Sequence, residues 1–295
     1  MKNTNCYTFY EYNHNQEENG LFDKSIDATY VINLKNNGRF ESVINQLNQY
    51  KPTKKIYILL NEGYKNCEKN LPKQCVIQDL IHCYLTIYEH ANNNSYDNIL
   101  ILEDDFIFNK KIKNTEIIDD INNFLNYNKN KSFLYFLGGI PILSIPVKKN
   151  HYKPLFIATT HCVVYSKQTR NFLLKNKNKI YNSNEGIDLY LSYNINNKYH
   201  YKYPLCYQTF PLTDSQKEWV FFKRNKIIND IVKRIYILLI HTLKLDIQCE
   251  PGYTIFYTFS ILLFYIIMFF ILYIFYKNYK ITNKLQKINI NKIIK

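Results

Sequence analysis

Three observations predict an α/β fold, a mixed and mostly parallel sheet flanked by helices, followed by one C-terminal transmembrane helix. Short apolar runs alternate with helically spaced ones from residue 28 to about 210. Turn formers are scarce, with 7 Gly and 8 Pro in 295 residues. A single long charge-free segment lies near the C-terminus. Apolar residues at 46% and aromatics at 16% supply a core, which excludes disordered, collagen-like and mucin-like chains.

The strands are expected at Thr29–Leu34, Lys55–Leu60, Asn98–Leu102, Phe133–Leu137, Leu155–Val164 and Tyr199–Tyr207, each a short run rich in β-branched and aromatic residues. Between them, Arg39–Tyr50, Gln74–Ala91, Glu116–Tyr127, Lys167–Lys175 and Asn184–Asn194 carry apolar residues at helical spacing. Residues 1–27 are polar and are expected to form a loose arm. No repeat occurs at solenoid periods.

Tyr253 to Tyr276 is 24 residues without a charge. As a helix it would run about 36 Å, enough to cross a ~30 Å hydrocarbon core with some tilt. Tyr253, Tyr257, Tyr273 and Tyr276 lie near its ends, where amphipathic rings favour the headgroup boundary. Upstream, Ile227, Ile228, Ile231, Ile235, Leu238, Leu239 and Leu245 recur at helical spacing. Asn229, Asp230, Lys233, Arg234, His241 and Lys244 fill much of the other face. Two readings stand: a helix on the membrane surface, or a last helix packed on the domain. The chain thus divides into an arm (1–27), an α/β domain (28–225), an amphipathic juxtamembrane helix (226–250), a single membrane pass (253–276) and a basic tail (277–295). Both flanks of the pass are basic, so the side of the domain stays open.

Lys and Arg total 38 against 24 acids, a net +14. Six of those lysines fall in the last nineteen residues, which hold no acid, leaving 32 − 24 = +8 on the rest. Charge spread in this way disfavours nucleic acid as a partner and is better matched by anionic lipid. Seven Cys (6, 67, 75, 83, 162, 206, 249) form no CxxC pair and no zinc spacing. An odd, scattered set argues against a disulfide framework and for buried thiols.

In open α/β sheets ligands gather beyond the carboxyl ends of strands. After the first strand comes Lys35-Asn36-Asn37-Gly38-Arg39, after the fourth Gly138-Gly139, and after the third Glu103-Asp104-Asp105. ILILEDDFIF, Ile99 to Phe108, sets three carboxylates in an apolar run, which is costly unless they are paired or bind a cation. Mg2+ or Mn2+ takes carboxylate oxygens, and Glu103 and Asp105 would share a face if extended. The plainer reading is a strand-end cluster facing solvent or capping the next turn.

ILILEDDFIF resembles the metal-binding motif of glycosyltransferase family 25, the lipooligosaccharide and collagen galactosyltransferase group. YVINLKNNGRFESVINQL (Tyr30 to Leu47) is similar to that family's opening strand and following Arg. Leu80-Ile81-His82 loosely matches its Leu-Ser-His helix. FLYFLGG (Phe133 to Gly139), THCVVYSKQTRNFLL (Thr160 to Leu174) and GIDLYL (Gly186 to Leu191) follow in the family's order. The resemblance covers about residues 28–215. It departs where LPKQCVIQDL replaces a usually glycine-bearing stretch and where the basic cluster is thinned to Lys35 and Arg39.

The resemblance implies a GT-A type fold and a UDP-sugar donor carrying galactose or glucose. It also implies transfer to a glycan or protein hydroxyl, assisted by Mn2+ or Mg2+. By that carry-over Asn33, Arg39, Glu103 and Asp104 sit at the donor, and Asp105, Glu103 and His161 at the metal. Arg39 would contact the diphosphate, with Asp105 the closest metal ligand. Asp188 is either the base that takes the acceptor proton, or a ligand of the acceptor hydroxyl, or a helix-start charge. His161 is a metal or phosphate ligand, or a strand histidine satisfied within the fold. Two other classes fit the same residues: a metal-dependent phosphodiesterase or nuclease, and a membrane-anchored structural protein with a degenerate, inactive transferase domain.

Overall fold

The computed structural model describes residues 6–12, 19–183, 186–209, 226–245 and 248–293. Strand β1 (Tyr7–Glu11) corrects the expectation of a loose arm, since it pairs antiparallel with β3 (Ile56–Asn61) along its whole length. A disulfide between Cys6 and Cys67 fastens that edge, against the expectation of thiols throughout. The backbone brings the pair together: Glu62 N, just beyond β3, donates to Cys6 O at 3.2 Å. A separation of 61 residues hides this from the sequence. Cys75, Cys83, Cys162, Cys206 and Cys249 are free, and Cys83, Cys162 and Cys206 are buried.

The central strands are those whose sequences are apolar throughout, because both their faces are covered. β2 (Ala28–Leu34) lies parallel to β3 on one side and to β4 (Asn98–Glu103) on the other. Helix α1 (Phe40–Tyr50) buries Val43, Leu47 and Tyr50 at helical spacing, while α2 (Val76–Asn93) buries Ile81, Tyr84 and Tyr88. After β4 come β5 (Phe106–Phe108) and α3 (Thr115–Tyr127), the latter started by Asn114 Oδ1 accepting from Ile117 N at 3.2 Å. One face of the sheet packs Val31, Leu100 and Leu102 against α1 and α3. The other packs Tyr30, Ile99 and Ile101 against α2.

Beyond β4 the sheet is mixed. β6 (Leu134–Phe136) leads into a long hairpin of β7 (Ile140–Lys148) and β8 (His151–Ala158), and β9 (Cys162–Ser166) returns antiparallel between β4 and β6. The expected strand Leu155–Val164 is therefore two strands broken at 159–161. Helices α4 (Lys167–Lys175), α5 (Lys177–Ser183) and α6 (Gly186–Asn194) follow. Then come β10 (Lys198–Tyr201), parallel to β6, and β11 (Cys206–Gln208), which pairs with β5 in a separate ribbon. The nine-stranded order is β1-β3-β2-β4-β9-β6-β10-β8-β7.

Helix α7 (Lys226–Thr242) leaves Ile227, Ile231, Ile235 and Leu238 exposed and turns Ile240 inward, so it does not lie on the domain by its apolar stripe. Helix α8 (Gly252–Ile293) begins with 31 residues, Gly252–Thr282, that hold an 18-residue stretch of mean hydropathy 2.5, long and apolar enough to cross a membrane. Its first turns are nonetheless part of the domain. Tyr253 and Tyr257 are buried within it rather than free at a headgroup boundary, Tyr257 edge-on to His200. Ser260 Oγ is 2.7 Å from Ser144 Oγ on β7, which in turn is 2.7 Å from His200 Nε2.

Candidate active site

The carboxyl ends of β2 and β4 meet at the acid cluster. The chain turns at Asp104-Asp105 instead of staying extended, so each of the three acids finds different neighbours. Glu103 ends β4 facing α2: its Oε1 accepts from Tyr84 OH and from Thr160 Oγ1, both at 2.7 Å. Asp104 faces the loop after β2. It accepts from Leu34 N at 3.1 Å, from Asn37 Nδ2 at 2.5 Å and from Arg39 Nη1 at 2.6 Å. Asp105 faces β11, and its Oδ2 accepts from Gln208 Nε2 at 3.0 Å. Arg39 Nη1 is 3.9 Å from that same Oδ2, so one guanidinium spans both aspartates.

Burial pushes the Asp105 carboxyl up, and the neighbouring Glu103 adds to it. Burial likewise raises Glu103, with Asp188 and Asp104 adding to the rise against the two hydroxyl donors. Asp105 Oδ1 is buried with no hydrogen-bond partner, and so are Asn33 Nδ2 at the end of β2 and Gln208 Oε1. Three orphaned polar atoms at one end of the sheet form an incomplete set of the kind a bound polar group completes.

Asp188 lies in the first turn of α6, half-buried, its carboxyl raised by loss of water and held by backbone N–H groups of Leu189, Asp188 and Thr159. It adjoins Glu103 closely enough to raise its pKa. His161 is buried. Its Nδ1 is 3.1 Å from Thr159 Oγ1 and its Nε2 3.4 Å from Cys206 O, and burial lowers its pKa to about 4. Both ring nitrogens thus face protein oxygens, and the metal-ligand role expected for His161 does not fit. Its backbone serves the site, its carbonyl accepting from Glu103 N at 3.0 Å. Among the described residues, no three His, Cys, Asp or Glu side chains are grouped to hold a metal ion.

The sequence does not announce the residues that position these acids. Tyr84 is one of 28 tyrosines, and Gln208 is 103 residues from the Asp105 it holds. Tyr253, in the first turn of α8, donates its hydroxyl to Gln208 O at 3.2 Å and accepts from Gln208 N at 3.1 Å. Tyr236 of α7 is partly buried, which raises its phenol, and it is near enough to Asp188 for that charge to add to the rise. The adjacent end of β3 is closed by buried Lys69, which donates to both Asn61 and Asp79.

No protein-family model and no curated protein sequence matches the chain. Among solved structures it is similar to A197 from STIV, with a TM-score of 0.37 and 10% identity over 63% of this chain and 86% of that one. It is also similar to a putative glucose-1-phosphate thymidylyltransferase from Bacillus anthracis, with a TM-score of 0.31 and 13% identity over 64% of this chain and 73% of that one. Likenesses this slight carry no argument about function.

Proposed function

We propose that the chain is a membrane-anchored glycosyltransferase, akin to family 25. It would move a galactose or glucose unit from a UDP-sugar to a glycan or protein hydroxyl, with α8 as its single membrane pass. The observation that carries the reading is Asp105: a carboxylate buried beside Glu103 after a central parallel strand, with Oδ1 unpartnered. Buried like charges of this kind are relieved by a cation.

A divalent ion would sit at the open Asp105 Oδ1, with Glu103 adding charge from beside it rather than from the same face, and no third protein ligand is grouped with them. Mg2+-type ions at phosphate sites are held by one or two carboxylates, with substrate oxygens completing the shell. Such an ion would neutralise charge on the leaving diphosphate. Asn33 offers an unused amide donor to the donor nucleotide. Arg39 would reach the diphosphate by giving up part of its hold on Asp104, which otherwise keeps the loop 34–39 in place. Asp188, with its carboxyl raised, is suited to accept the proton of the acceptor hydroxyl.

One observation favours the second reading, an inactive membrane-anchored scaffold: Arg39 already pairs with Asp104 and Asp105 within the fold. Calorimetry of the full chain in detergent separates the two. Titration with UDP, GDP and CMP, each with and without Mn2+, should give Mn2+-dependent binding of UDP, lost in Asp105→Ala. A folded chain that binds none of them is the scaffold, and unchanged UDP affinity in Asp105→Ala removes the metal assignment.

A further inference from the structure

We propose that the β7–β8 hairpin and α7 seat the domain on the bilayer. The outward side chains Ile145, Val147 and Leu155 would enter the boundary between headgroups and acyl chains. The inference rests on α8 being a membrane span.

The length of α8 carries it. A ~30 Å hydrocarbon core takes about 20 helical residues. Counted back from Tyr276, the last residue before Lys277, about 20 residues reach Tyr257. Yet α8 stays against the domain past Tyr257, since Ser260 bonds Ser144. Strand β7 runs down the helix in the same direction, since Ile140 packs in the cluster of Tyr253 and Ser144 meets Ser260. Ser144 therefore lies at the level where the hydrocarbon must begin, and the hairpin beyond it lies at the bilayer surface.

Its outward residues suit that depth. Ile145 is 38% exposed, Val147 45%, and Leu155, one residue short of the Ser144–Pro154 pair, 66%. Lys149, at the hairpin turn, and Lys148, whose ammonium lies 5.7 Å over the Tyr127 ring, put positive charge beside them for anionic headgroups. Helix α7 supplies a second contact. Ile231, Ile235 and Leu238 form an exposed stripe beside Arg234, the pattern of a helix lying in the interface. Continuity of both elements with α8, and the basic residues among them, favour a lipid surface over a second copy of the chain. Tyr253, about 6 Å of helix above Tyr257, then holds the acid cluster at the membrane surface through Gln208.

The test uses the full chain carrying Trp219→Phe, which removes its one tryptophan. It is placed in nanodiscs of phosphatidylcholine and phosphatidylglycerol, with or without lipid spin-labelled high on the acyl chain. Val147→Trp should be quenched to a degree comparable with Phe270→Trp in the span. Tyr10→Trp, on β1 at the opposite edge of the sheet, should keep its full emission. Should Val147→Trp fold poorly, Ile145→Trp carries the same measurement. Quenching at position 270 but not at 147 or 145 overturns the seat and leaves the span standing. No quenching at 270 removes the span, and this proposal with it. An unquenched, blue-shifted Val147→Trp in particles holding two chains assigns the face to a second copy and overturns the proposal.

Discussion

Tyr253 holds Gln208 by both of its backbone groups, and Gln208 in turn holds Asp105, so the first turn of the apolar helix is joined to the acid cluster through one residue. Removing only the Tyr253 hydroxyl tests that link. Tyr253→Phe leaves the Gln208 N–H and carbonyl short of a partner, at a cost of about 1–3 kcal/mol. The melting temperature should fall accordingly. Mn2+-dependent UDP affinity, measured by calorimetry, should weaken several-fold more than in a variant equally destabilised at a remote site. Equal losses in the two would make the hydroxyl structural only.

Asp105→Asn should make the unliganded protein more stable while abolishing metal-dependent binding. Burial, with Glu103 adding, raises the Asp105 carboxyl to about 8. A raised carboxyl favours the fold when protonated. Its contribution is present below the unfolded value of about 3.9 and is lost as pH rises towards the folded one, by up to about 1.4 kcal/mol per pH unit crossed. The advantage of Asp105→Asn over the parent should therefore be absent near pH 4 and largest near pH 8. Thermal melts across that range decide it, and a constant offset would contradict the assignment.

Gly138 and Gly38 make a matched pair. A Cβ at Gly138 would collide with Cys206 O and His161 Nε2, whereas one at Gly38 meets nothing within 4 Å and faces only a φ of +77°. Gly138→Ala should cost about 3 kcal/mol, because backbone and a buried ring must both move. Gly38→Ala should cost about 1 kcal/mol, for the left-handed backbone alone. Denaturant melts of the two variants would give the order.

Reduction of the Cys6–Cys67 bond should lower stability by about 4 kcal/mol, the chain-entropy value for closing a loop of some 60 residues. The loss should appear first as faster hydrogen exchange along β1 and β3, since β1 covers only one edge of the sheet. Mass-resolved exchange with and without a reductant checks this, and unchanged protection in β1 would count against it.

Much of the sheet was legible because its central strands are covered on both faces and so are apolar throughout, as in ATYVINL and NILILE. Strand β7 was not, because IPILSIPVK carries two prolines and lies at the sheet edge, where prolines are tolerated and the apolar signal is broken. Strand β1 escaped for a similar reason, as YTFYE is short, polar at its end and paired on one side only. At the site, the acids could be picked out because carboxylates in an apolar run are conspicuous. Their holders could not: Tyr84, Thr160, Gln208 and Tyr253 are ordinary residues that matter only through contacts formed across 19 to 103 positions of chain. The turn at Asp104-Asp105 replaced an expected alternation of faces, and with it went the simple idea that Glu103 and Asp105 point the same way.

The bond that pins β1 to the sheet also says something about geography. Cystines persist where no glutathione pool undoes them, on the secretory or exterior side of a membrane. If Cys6 stays joined to Cys67 in cells, the domain lies on that side, and α8, if it spans, would deliver Lys277 and the lysines after it to the cytosol. That is where an excess of basic residues close to a span settles. The oxidation state of one bond, read in cells by thiol labelling, would thus report which way round the protein sits.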